Sequence, residues 1–131
     1  MKLVPEEFQD LLRDETKSFA ILGTLMPNGS PQVTPVWFNV EGDYILINTA
    51  RGRQKDRNMQ VRPQVAMTIM DPKRPYRYVQ IRGEVVESTE KGGAEHIHFL
   101  SRKYRGYDFS LVKGQVRVIY KILPKHVSTE D

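Results

Sequence analysis

The stretch "SFAILGTLMPNGSPQVTPVWFNV", Ser18–Val40, decides the fold. "SFAILGTL" (Ser18–Leu25) is an apolar run of strand length, and "MPNGSP" behind it carries Asn28-Gly29, a dipeptide that favours a tight hairpin. The returning strand is "QVTPVWFNV" (Gln32–Val40). In it Val36 and Phe38 face one way and Pro35 and Trp37 the other, so both faces are apolar. A barrel interior takes only one of them. The face bearing Trp37 needs a cover, and a second copy of the chain is the expected one. Pro35 removes a ladder donor, which places this strand at an edge or bulge and leaves the backbone of Pro35, Val36 and Trp37 open to a flat ligand.

Outward from this hairpin, "EGD" turns the chain into "YILINT" (Tyr44–Thr49), completing a three-stranded meander. "QKDRNMQVR" (Gln54–Arg62) reads as a short connecting helix that stops before Pro63. "VAMTIMD" and "YVQIRGEVVE" are strands four and five. A helix in "GGAEHIHFLSRKYRGYD" is expected to bury Ile97, Phe99 and Leu100. "QVRVIYKILP" alternates Val116, Val118, Tyr120 and Ile122 against Arg117, Ile119, Lys121 and Leu123, giving strand six. At the other end, Pro5, Glu6 and Glu7 suit the start of a helix with Phe8, Leu11 and Leu12 on one face, a lid. The fold class expected is mainly β with short helices, a six-stranded antiparallel Greek-key barrel in one domain, residues 1–131.

Composition excludes several chemistries. The chain has no cysteine, hence no disulfide, thiolate metal site or cysteine nucleophile. No apolar run approaches the roughly 20 residues of a membrane span. Acids and a proline near the N-terminus speak against a secretory signal, so a cytoplasmic location is expected. On a helix His96 and His98 point about 200° apart, and His126 falls in a tail, so no metal site is expected. No Ser-His-Asp set or carboxylate pair can be argued from the spacings, and no catalytic residue is assigned. A cofactor is expected to carry any reaction.

The net charge of +4 is localised. Arg51, Arg53, Lys55, Arg57 and Arg62 oppose Asp56 alone, which accounts for all of it. In "TARGRQKDRN" (Thr49–Asn58), Arg53 and Lys55 stand where a strand turns into a helix, so their cations join free backbone N–H groups and the positive end of the helix dipole. That arrangement suits phosphate, and Gly52 lets a ligand approach the backbone. A second basic patch holds Lys73, Arg74, Arg77 and Arg82, with Tyr76 and Tyr78 between. Bases interleaved with tyrosines also suit single-stranded nucleic acid, but the modest net charge and the lack of any RNA or DNA motif disfavour it.

The order "FAILGTLMPNGSPQVTPVWF", "YILINTARGRQKDRNMQVRPQVAMTI", "YVQIRGEVV" resembles the flavin-binding split-barrel family related to pyridoxamine 5′-phosphate oxidase. The spacing of Arg53, Lys55 and Asn58 is most similar to the branch of deazaflavin (coenzyme F-420) dependent reductases. The resemblance implies a homodimeric split β-barrel with two cofactor sites at the subunit interface. It implies that Arg53 and Lys55 hold the cofactor phosphate with Gln54 and Asn58 nearby, and that Thr34, Pro35, Val36 and Trp37 line the tricyclic ring. Asn48 and Thr49 would lie beside the ribityl chain, and Tyr76, Arg77 and Tyr78 would belong to the stretch by which the partner subunit approaches the ring. The implied activity is hydride transfer to a conjugated organic substrate using coenzyme F-420, with FMN as the alternative cofactor and a cofactor-binding or storage role as the alternative to catalysis. Trp37 is the only tryptophan and the chain ends "PKHVSTED", without the C-terminal tryptophan and arginine segment of true pyridoxamine phosphate oxidases, so vitamin B6 oxidation is not expected. The bases Arg51, Arg57, Arg74 and Arg77 would suit the glutamate tail of coenzyme F-420.

Overall fold

The computed structural model describes residues 1–131. Seven strands form one antiparallel sheet: β1 (Phe19–Leu25), β2 (Pro31–Val36), β3 (Phe38–Glu41), β4 (Tyr44–Ala50), β5 (Gln64–Met70), β6 (Tyr78–Thr89) and β7 (Arg117–Glu130). Helix α1 (Gln54–Val61) joins β4 to β5, and α2 (Gly93–Arg105) joins β6 to β7. The strands run in the order β2-β1-β5-β6-β7-β4-β3.

The count of seven rather than six comes from the strand read across Gln32–Val40. It is two strands, because the pairing partner changes at Trp37: Val36 is opposite Ala20 of β1, whereas Phe38 is opposite Ile47 of β4. β2 and β3 are the two edges of the sheet, yet one residue separates them in sequence. The sheet must therefore curl until its edges meet, which makes it a half-barrel. Val36 and Phe38 both point into the core as expected.

The interior is one cluster of 19 buried apolar residues. β7 contributes Val118, Tyr120 and Ile122, each fully buried, while Val116 lies before the strand and is exposed. β7 also runs on through the segment expected to be a tail, so His126 is a strand residue opposite Arg82. The N-terminal segment is two short 3₁₀ turns, Glu6–Leu12 and Asp14–Thr16, instead of an α-helix. It still buries Phe8, Leu11 and Leu12, now as part of the main core. α1 does more than connect: Asp56, Asn58 and Met59 are almost fully enclosed. On α2 the inward face is Ile97, Leu100 and Ser101, at helical i, i+3, i+4 spacing, which leaves Phe99 exposed. No helix is long and apolar enough to cross a membrane.

α2 begins hard against β7. A Cβ on Gly93 would collide with the backbone carbonyl of Arg117, so only glycine permits this approach. Gly93→Ala is expected to reduce unfolding free energy by about 1–3 kcal/mol, the usual range for overpacking; denaturant titration would measure it.

Candidate functional site

The curl places residues from β2, the β4–α1 turn, α2 and β7 around one cavity of about 440 Å³. Six residues singled out in the sequence line it: Pro35, Val36, Trp37, Asn48, Arg53 and Lys55. Phe19, Ile97, Leu100, Arg105, Phe109 and Arg117 complete the wall, and the lining contains no acid.

One wall is aromatic. Trp37 stacks on Tyr104 at 5.4 Å between centroids, and Tyr104 stacks on Phe19 at 5.6 Å. Arg105 covers the Trp37 ring at 4.7 Å. Tyr104 and Arg105 of α2 in the same chain thus cover the Trp37 ring. Tyr104 is fixed by donating a hydrogen bond to the Ser18 carbonyl at 2.6 Å. Burial raises its phenol well above the ordinary tyrosine range.

The other wall is cationic. Lys55 is only 8% exposed, and its amine has neither a hydrogen bond nor a salt bridge within the chain. Burial, then repulsion from Arg53 and Arg117, lowers its pKa from the normal lysine value. Burial and Arg53 act on Arg117 in the same direction. Three cations converge without a counter-ion, which is costly unless an anion enters. Arg117 is not in the sequence motif. Sheet register brings it there by pairing it with Ala50, immediately before "RGRQK".

The turn that presents Arg53 is held from below by Asp56. This carboxylate accepts bonds from the Gly52 N–H at 2.8 Å, the Tyr120 hydroxyl at 2.6 Å, Arg51 at 3.0 Å and Gln60 at 3.2 Å. Burial works to raise its pKa, but these donors outweigh burial and hold it below the usual carboxylate range. Gly52 has φ +94°, a left-handed conformation that suits glycine. Its N–H is committed to Asp56, so the backbone opening expected there is used for the turn itself.

The remaining candidates lie elsewhere. Thr34 is on β2 opposite Leu22, outside the cavity wall. Asn48 and Thr49 are neighbours on one strand and so face opposite sides. Asn48 lines the cavity, while Thr49 is buried with its hydroxyl unpartnered. Gln54 donates to Asn58, and fully buried Asn58 donates to the Thr24 hydroxyl, tying α1 to β1. Tyr76, Arg77 and Tyr78 contribute nothing to this cavity within one chain. Tyr78 opens β6, Tyr76 is 87% exposed, and Arg77 clasps Asp10, Asp71 and the Glu7 carbonyl.

The four bases read as free for an acidic tail are all engaged. Arg51 pairs with Asp56 and Glu90, Arg74 with Asp131, Arg77 with Asp10 and Asp71, and Arg57 bonds the Gly52 carbonyl and Gln54. Each found a nearby acid or backbone acceptor, some of them distant in sequence. A second cavity, about 430 Å³, borders Gly23, Gly83, Arg82, Glu84 and Lys125 and takes in none of the predicted residues.

His96 joins the site from behind. Its Nε2 is 2.7 Å from Asn39 Oδ1 and its Nδ1 is 3.1 Å from Asn48 Nδ2. His98 is unrelated to it, accepting the Phe109 N–H at 3.1 Å.

The profile of the pyridoxamine 5′-phosphate oxidase family matches residues 4–128. The chain belongs to that family. Among solved structures, an F420 reductase is 32% identical with a TM-score of 0.84, covering 95% of this chain and 98% of its own. General Stress Protein 26 from Bacillus anthracis is 18% identical at TM-score 0.72, covering 96% and 92%. HupZ from Group A Streptococcus is 16% identical at 0.66, covering 96% and 93%. The last two share the fold. Among curated proteins no sequence matches. Membership makes this a chain of the flavin-type oxidoreductase family, in which the curled antiparallel sheet is the common scaffold.

Three outcomes follow from the buried groups of the site. Asp56→Asn is expected to lower stability by about 3 kcal/mol, because a buried charge partner is removed, and Tyr120→Phe by about 1 kcal/mol for one hydrogen bond; chemical denaturation measures both. Burial lowers the His96 pKa to about 4 from 6.5. The unfolded chain therefore takes up this proton first on acidification. Stability should fall as pH drops from 6.5 to 4, by roughly 3 kcal/mol at most, and His96→Gln should flatten that part of the profile.

Proposed function

We propose that the cavity binds a phosphorylated flavin-type cofactor, coenzyme F-420 in preference to FMN, and that the protein is an oxidoreductase acting on a conjugated organic substrate. The observation that carries this reading is the convergence of Arg53, Lys55 and Arg117, without an acid, beside an aromatic wall in one cavity. An anionic group would relieve their repulsion, and a flat ring system matches the face formed by Pro35, Val36 and Trp37. The residues present fit such a cofactor.

When bound, a deazaflavin or flavin supplies hydride chemistry. The chain supplies placement: Arg53, Lys55 and Arg117 hold the phosphate, Asn48 lies along the connecting chain, and the Trp37 wall sets the ring plane. Buried Ile97 and Leu100 give the cavity an apolar wall. No catalytic acid is assigned: solvent or a tyrosine of the Tyr76–Tyr78 stretch supplies the substrate's proton.

The preference for F-420 is supported by the similarity to an F420 reductase at 32% identity. It is not supported by Arg51, Arg57, Arg74 or Arg77, which are all engaged. Arg105 has no acid partner and is the base best placed for a further carboxylate. We assign the protein to a homodimer in which exposed Tyr76 reaches the partner's cavity. Exposed apolar Phe19 and Val33 support a covered face there.

Titration of purified protein with F-420 and FMN, followed by quenching of cofactor fluorescence, tests the reading. Binding of F-420 tighter than FMN is the expected result, and binding of neither would end it. Arg53→Ala combined with Lys55→Ala should weaken cofactor binding by about 100-fold or more, as two charge-assisted contacts are lost. Affinity for riboflavin, which lacks the phosphate, should change little.

A further inference from the structure

The amide of Asn48 admits one orientation. Arg117 Nε donates to Asn48 Oδ1 at 2.9 Å, so the amide nitrogen is the atom on the opposite side. That nitrogen donates to the Gly93 carbonyl at 2.9 Å and faces His96 Nδ1 at 3.1 Å. Reversing the amide would set its NH₂ against the Arg117 N–H and its oxygen against the Gly93 carbonyl. Nδ1 of His96 must therefore accept, which puts the imidazole proton on Nε2, where Asn39 Oδ1 receives it at 2.7 Å. The contacts that link Asn39, His96, Asn48 and Arg117 then each pair one donor with one acceptor. No other protonation of the four satisfies all of them.

We infer that His96 is a positioning residue for the anion end of the cavity: acting through Asn48, it fixes the direction in which the Arg117 guanidinium enters beside Arg53 and Lys55. This rests on the reading of the cavity as a site for a phosphorylated cofactor. Arg117 is the cation that most needs such a device. Lys55 is confined by burial, and the backbone of Arg53 is placed by the turn at the head of α1. Arg117 enters from a different strand and is repelled by Arg53. Its Nε is used by Asn48, its Nη1 by Gln115 at 3.0 Å, and its face rests on Phe109 at 5.0 Å, leaving Nη2 for a ligand. The close approach of Gly93 to the Arg117 backbone brings the helix bearing His96 against the strand bearing Arg117.

Two variants separate positioning from mere packing. His96→Phe fills the space but removes both ring nitrogens, whereas His96→Gln retains an acceptor for Asn48 and a donor for Asn39. The first readout needs no cofactor: the Arg117 Nε–H resonance in ¹⁵N NMR, identified by its disappearance in Arg117→Lys. It should be protected from exchange in wild type and H96Q and lost in H96F. The second is affinity for FMN and F-420 against riboflavin. H96F should bind the phosphorylated cofactor about tenfold more weakly, as loss of one charged hydrogen bond implies, with riboflavin unaffected and H96Q near wild type. H96F with Arg117→Gln should bind no more weakly than Arg117→Gln alone. Retention of the Arg117 resonance in H96F, or additive losses in the double variant, would overturn the inference. Loss of the resonance in H96F together with a wild type that binds neither cofactor would uphold the relay and remove the proposed function instead. Should H96F fail to fold, His96→Leu carries the same two readouts.

Discussion

Closure at Trp37 is the constraint on which the rest of the structure depends. The sheet has two edges, and the chain crosses from one to the other in a single residue. An open sheet cannot satisfy that link, so the strands curl until β2 and β3 are adjacent end to end. Curling protects both edges from pairing with other chains at this point. It also turns the outward side of the junction into the mouth of the cavity, with Pro35, Val36 and Trp37 as its rim. A proline before the junction is tolerated because an edge strand has a free side.

The cavity then depends on charge held apart from its partners. Six bases of the chain pair with acids, among them Arg77 with two aspartates and Arg51 with an aspartate and a glutamate. Asp56 serves this separation directly. It lies at the heart of the basic motif but points inward to Tyr120 and the Gly52 N–H, so it tethers the turn instead of cancelling Arg53 and Lys55. The single acid in the motif thus becomes the reason the cations face the cavity unopposed.

How much of this was legible in the sequence varies by the distance over which each contact acts. The Asn28-Gly29 hairpin, the alternation in β7 and the helix after "RGR" are local signals, and each appears as read. The division of the second strand was not legible, because Pro35 marks an edge without saying that the next residues change partners. Arg53, Lys55 and the Pro35–Trp37 rim could be found from one compact motif and one unusual strand, and Asn48 from the resemblance alone. Arg117, Arg105 and His96 could not, since their roles come from sheet order and from the packing of α2. The alternation in the last strand puts Arg117 on the face opposite Val118 and Tyr120 but does not say what that face meets. The engaged arginines failed for the converse reason: a sequence shows a base but not the acid that folds against it, and Asp10 lies 67 residues from Arg77.

The pairing of β4 with β7 also has a temporal meaning. Ile45 is opposite Ile122 and Ala50 is opposite Arg117, so this seam joins segments far apart along the chain, whereas the β1–β2 and β3–β4 hairpins close within a few residues. Loop closure over such distances makes long-range pairings slow relative to hairpins. The cationic wall is therefore divided between a turn defined by local sequence and a strand that reaches it only through long-range pairing. A nascent or partly folded chain would display Arg53 and Lys55 without the third cation, and the complete anion pocket comes into existence only when the last strand has docked.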